Sequence, residues 1–176
     1  MGYPVGGNVL KKQLTLVCQQ EGGDMRKTIV HVDRSRRPIY PEKMRVVHRN
    51  LELTGPKEYN LHGQVEFWLH KEQKAETIVQ GATIFSELED RKELKLCLGL
   101  ADGLAILEKD HSALHWLFKG RTLHLWKSVV KDLTAENDFL VPCLLEKGTR
   151  MGLHWKHLRY YLTTNDVALR FKSLHL

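Results

Sequence analysis

Three runs, Thr122-Leu-His-Leu-Trp-Lys-Ser-Val-Val-Lys131, Phe139-Leu-Val-Pro-Cys-Leu-Leu145 and Arg150-Met-Gly-Leu-His-Trp155, carry apolar residues at every second position. Leu123, Leu125 and Val129 stand against His124, Trp126 and Val130; Phe139, Val141, Cys143 and Leu145 against Leu140, Pro142 and Leu144; Met151, Leu153 and Trp155 against Gly152 and His154. Side chains alternate across a strand, so this period of two predicts a three-stranded antiparallel meander over about 122–155. Glu146-Lys-Gly-Thr149 holds the glycine that a tight hairpin needs, and Asp132 to Asp138 reads as a longer polar loop. Pro142 has no backbone donor, which predicts an edge strand or a bulge there.

Upstream, the period lengthens. Asn60 can cap a helix carrying Leu61, Val65, Trp68 and Leu69 on one stripe, and Thr77 with Gln80 has the form of a capping box before Ile78, Ala82, Phe85 and Leu88. A short helical piece over Lys92 to Leu98 and a longer one with Leu104, Leu107, His111, Leu114, Leu117 and Phe118 in line complete a helical region over 60–118, with Gly99 to Gly103 as a turn. Residues 26–32 are β-branched enough for one N-terminal strand, and a further edge strand is expected around Ala168 to Phe171. The expected fold class is therefore α+β: a small antiparallel meander with three or four helices on one face and the other face partly open to solvent. An SH3-like barrel with a helical insert is the alternative.

The composition bounds what such a domain can do. The 176 residues, 42% hydrophobic, fit one ordinary globular core, and no apolar run approaches the roughly 18 residues of a membrane span. Cys18, Cys97 and Cys143 are odd in number, widely spaced and without a C-x-x-C pair, which points to a reducing, cytoplasmic setting rather than a disulfide framework. Residues 1–24 read as peripheral and 25–176 as the domain. Glu21-Gly-Gly-Asp24 directly before Met25 suggests a ribosome-binding sequence read through in frame, hence a start at Met25 and a bacterial or phage source; a flexible turn is the competing reading.

The net charge of +6 has an address. Eight basic residues and two acidic ones, Asp33 and Glu42, lie between Met25 and Asn50, and the rest of the chain is balanced. Arg34, Arg36 and Arg37 sit in a proline-containing loop, followed by Tyr40, Lys43, Arg45 and Arg49. Guanidinium forks pair bidentately with phosphate and Tyr40 offers a face for stacking, so these seven residues are the expected nucleic-acid-binding set, for DNA or RNA. The competing expectation is that the arginines pair with the acidic cluster Glu87, Glu89, Asp90 and Glu93. If exposed, His124 and Trp126 would extend the surface.

Other chemistry has weaker support. His111 and His115 are four apart, as on one face of a helix, and His154 and His157 lie close together, but no H-E-x-x-H pattern or carboxylate ligand accompanies them. The cysteines fall on apolar faces, where a thiol is a small unreactive hydrophobe, and no phosphate-cradling glycine loop is present. No catalytic residue, metal ligand or cofactor is expected. The reading is a binding or regulatory module whose partner is nucleic acid. A protein-interaction factor using the open sheet face or the Trp68 helix is second, and a metal-dependent hydrolase using the His pair third.

Overall fold

A computed structural model describes residues 28–109, 114–115, 118–135, 138–148 and 150–172. The proposed start at Met25, Cys18, the first residues of the N-terminal strand, His111 and Trp116 lie outside them. Among the described residues there are eleven strands and four α-helices. The strands are β1 (Ile29–His31), β2 (Met44–Val46), β3 (Glu58–Asn60), β4 (Val65–Trp68), β5 (Val79–Gln80), β6 (Thr122–His124), β7 (Val130–Asp132), β8 (Phe139–Lys147), β9 (Arg150–His157), β10 (Tyr161–Leu162) and β11 (Asp166–Phe171). The helices are α1 (Leu61–Gln64), α2 (Lys71–Lys74), α3 (Gly81–Asp90) and α4 (Leu100–Leu107).

Seven strands form one mixed sheet in the order β2-β7-β8-β6-β11-β4, with β9 on the remaining side of β8. This corrects the expected small antiparallel meander, and the open path from β2 to β4 also excludes the SH3-like barrel. β8 is the hub. One of its sides carries both β7, through Val130↔Leu140, and β6, through Leu123↔Leu144; the other carries β9 along its length. A 3-10 turn at Trp126–Ser128 separates β6 from β7, and the Leu125 amide donates to the Pro142 carbonyl at 2.9 Å. The donor that proline lacks therefore falls opposite a break in the partner, and β8 remains internal.

β11 is parallel to β6 and antiparallel to β4, so the segment expected at an edge is an inner strand. Val167 and Leu169 enter one apolar cluster while Ala168 enters the other. Both sheet faces are thus covered, not one. The first cluster joins the β1/β3 ribbon and α4 to the sheet; the second joins α3 and the β5/β10 ribbon. Burial on both faces explains why Leu140 to Leu144 is a continuous apolar run.

The helical expectations also change. Asn60 does cap, accepting from the His62 and Gly63 amides, but α1 lasts one turn and gives way to β4. Val65 and Phe67 meet the first cluster and Trp68 the second. Four residues can satisfy a helical stripe and a strand alternation alike, and pairing with β11 decides for the strand. α3 begins at Gly81 without a side-chain cap, and a Cβ there would lie 2.9 Å from the Leu158 carbonyl oxygen, a close approach only glycine permits. The expected turn Gly99 to Gly103 is the first turn of α4.

Candidate nucleic-acid interface

The basic stretch is an insertion between β1 and β3. Those two strands pair antiparallel, and the Val32 amide donates to the Lys57 carbonyl at 2.7 Å, closing the base of residues 33–56. Midway, β2 adds to the edge of the large sheet by pairing with β7. Three polar contacts, two of them buried, pin the insertion elsewhere. Arg34 donates to Asp102 Oδ1 at 2.5 Å and to Oδ2 at 3.3 Å, Ser128 Oγ donates to Glu52 at 2.6 Å, and Lys127 Nζ donates to the Thr54 carbonyl at 3.2 Å. Gly55, at φ +111°, lets the backbone pass against the Arg34 and Lys127 head groups.

This network is desolvated. Burial pushes the Glu52 carboxyl up and draws the Lys127 ammonium down, each countered by its partners. Burial, with Glu52 beside it, pushes the Tyr40 hydroxyl up. Tyr40 also leans on Trp155, with ring centroids 6.2 Å apart. Two of the seven expected binding residues therefore serve as anchors: Arg34 is spent on Asp102, and half-buried Tyr40 packs its ring against Trp155 with its hydroxyl buried.

Arg36, Arg37, Lys43, Arg45 and Arg49 are exposed. Arg36 meets Asp33 at 3.3 Å, in a surface pair that solvent weakens. Among the described residues, Arg37, Lys43, Arg45 and Arg49 make no ion pair within 4 Å. The acidic cluster does not take them: Glu87 pairs with His70 and Arg91, Glu89 lies 2.8 Å from His48, and Glu93 pairs with Arg170. Arg45 stands directly opposite Lys131, a like-charge cross-strand pair that opposes folding. Local reading passed over Lys131 because it belongs to a different run of sequence; only the β2–β7 register puts it there.

His124 and Trp126 do not extend this surface. Both are buried, with rings stacked at 5.5 Å and 29°. His124 Nε2 meets Asp166 Oδ1 at 3.2 Å, Lys156 Nζ donates to the same oxygen at 2.6 Å, and the Thr163 amide and hydroxyl donate to Oδ2. Burial would raise the Asp166 carboxyl, but those donors outweigh it and hold it well below the carboxylate range. Cys143 is the cross-strand partner of His124, so thiol, imidazole and carboxylate share one face of the sheet. They do not make a nucleophilic site. The His124 Nδ1 atom has no hydrogen-bond partner, Cys143 is buried, and burial pushes its thiol up to about 11. Burial likewise pushes Cys97 up to about 12.

Of the expected histidine sets, His115 faces Glu146, His157 Nδ1 lies 2.8 Å from Asp138, and His111 lies outside the described residues. Among the described residues no group of three metal-ligating side chains converges, and no helix is long and apolar enough to cross a membrane.

Comparison with protein-family models, curated sequences and solved structures finds no match. The geometry alone carries the functional argument.

Proposed function

We propose that this protein binds nucleic acid through its phosphate backbone, using Arg36, Arg37, Lys43, Arg45 and Arg49 of the insertion together with Lys131. The observation that carries the reading is the set of exposed cations in the insertion, of which Arg37, Lys43, Arg45 and Arg49 make no ion pair among the described residues, on a segment held at its ends by Arg34–Asp102 and Ser128–Glu52 and in its middle by the β2–β7 pairing. A held loop loses little conformational freedom on binding, so more of each phosphate contact appears as affinity. Phosphate contacts position a protein without reading sequence, so binding of this kind tolerates many sequences.

A retardation assay with duplex DNA, single-stranded DNA and RNA over a salt series tests the reading. Expected are complexes at low salt that dissociate steeply as salt rises, and that weaken when Arg37, Arg45 and Arg49 are replaced by alanine. No binding at low salt, or binding indifferent to those replacements, overturns it.

A second reading has its own observation. β2 is the terminal strand of the sheet, and exposed Lys and Arg on such a strand discourage pairing with another chain. On that reading, replacing Arg45 and Lys43 would promote self-association and leave nucleic-acid affinity unchanged.

A further inference from the structure

The register that sets Arg45 against Lys131 also sets Lys131 against Phe139, so the three side chains lie in one row on the same face of the sheet. Phe139 forms the wall of a groove of about 360 Å³, with Phe85 of α3 and Leu158 as its other apolar walls. That size lies at the lower end of small-ligand pockets, roughly 300–1,000 Å³. Two strand spacings, about 10 Å, separate Arg45 from Phe139 at the backbone.

Polar groups of both signs line the groove, Asp138 and Arg159 among them. The Asp138 carboxylate lies 2.8 Å from His157 Nδ1 and 3.8 Å from Arg159, whose guanidinium lies over the Tyr160 ring. Outside stand Arg45 and Lys131. The Asp138 carboxylate accepts hydrogen bonds from amino groups, and two phenyl rings offer stacking faces. Arg45 and Lys131, farther along the row, attract phosphate.

We propose that the groove between α3 and the β8–β9 end of the sheet holds one unpaired base bearing an exocyclic amino group, while its flanking phosphates rest on Arg45 and Lys131. The inference rests on the reading of the insertion as a phosphate-binding surface and adds a preference: single strands over duplexes, and cytosine or adenine over thymine. A paired base is not free to enter, because its amino group and both faces are already engaged.

Fluorescence anisotropy with oligodeoxycytidine, oligodeoxyadenosine, oligothymidine and a mixed duplex tests it. Ala82 lines the groove from the exposed side of α3, so Ala82→Trp fills the groove without entering the core. Ala82→Glu is the second variant, with an acidic residue in the first turn of α3, where it favours the helix. Wild type is expected to bind the cytosine and adenine strands about tenfold more tightly than thymine strands, the scale of one base-edge contact, and about tenfold more tightly than duplex, the scale of one stacked base. Both variants should lose that preference while keeping duplex affinity and its salt slope. Equal binding of all four probes, or a preference that survives both variants, overturns the groove and leaves the phosphate-binding reading standing. Absence of binding to every probe at low salt overturns both.

Discussion

Arg34→Ala distinguishes a phosphate ligand from a structural anchor. The Arg34 side chain is 3% exposed and Asp102 is fully buried; Asp102 accepts two bonds from the guanidinium and a third from the Gly99 amide at 2.9 Å. Removing Arg34 leaves a buried carboxylate with one backbone donor and no adjacent cation bonded to it, and also frees the Pro56 carbonyl that Arg34 Nη2 reaches at 3.3 Å. Breaking a buried ion pair from one side costs about 3–5 kcal/mol, a large share of the roughly 5–15 kcal/mol that holds an ordinary domain together. For a chain of this size that corresponds to a melting point lower by about 6–20 °C. Urea unfolding followed by circular dichroism measures it. The double variant Arg34→Met, Asp102→Leu removes both charges and is expected to recover most of the loss, within about 1–2 kcal/mol of wild type, because no uncompensated charge remains. Nucleic-acid affinity of Arg34→Ala, measured well below its melting point, should fall less than that of Arg45→Ala. An unchanged unfolding midpoint with strongly reduced binding would refute the assignment of Arg34 as an anchor.

Other outcomes follow from the same geometry. If all five exposed cations of the insertion meet phosphates, log affinity for duplex DNA falls with log salt at a slope of roughly −4.5, and Arg37→Ala with Arg45→Ala reduces it by about 1.8; a slope near zero contradicts phosphate binding. Cys97 and Cys143, buried with thiols at about 12 and about 11, should resist alkylation at pH 8 in the native protein and label once it is unfolded, as read by peptide mass mapping. Burial, opposed by the Asp166 hydrogen bond, holds His124 below its ordinary 6.5, so the unfolded chain takes up that proton first as pH falls. Stability from this residue is full above 6.5 and declines below it, by at most about 1.4 kcal/mol per pH unit. Glu52, held above 4.5 by burial, has the opposite sign. The check is therefore the difference between wild type and His124→Gln in urea unfolding from pH 7 to 5, where the variant should lose less stability; parallel curves would contradict the buried neutral imidazole.

Local pattern made part of this molecule legible. Alternation over Phe139 to Leu145 and Arg150 to Trp155 identifies β8 and β9 because those runs are long enough for a period of two to repeat, whereas Thr122 to Lys131, expected as one strand, is β6 and β7 parted by a 3-10 turn; Asn60 reads as a cap because a side-chain carbonyl satisfies amides two and three residues on. Where runs are short, the pattern underdetermines the element. Val65 to Trp68 fits either period, and β11 was expected at an edge because nothing in Asp166 to Phe171 announces that β6 and β4 will flank it. Coverage of both faces was equally hidden, since it depends on where α3 and α4 dock.

The sequence by itself determined the location of the charge: the excess of positive residues lies in 25–50 whatever the fold. Tertiary structure alone decided what each charge does. Arg34 and Arg45 come from the same basic stretch, yet one is buried against a carboxylate 68 residues away and the other faces solvent beside Lys131. The reason is that burying a charge is costly without a partner, and the partner is supplied by the packing of distant elements, which no local window contains.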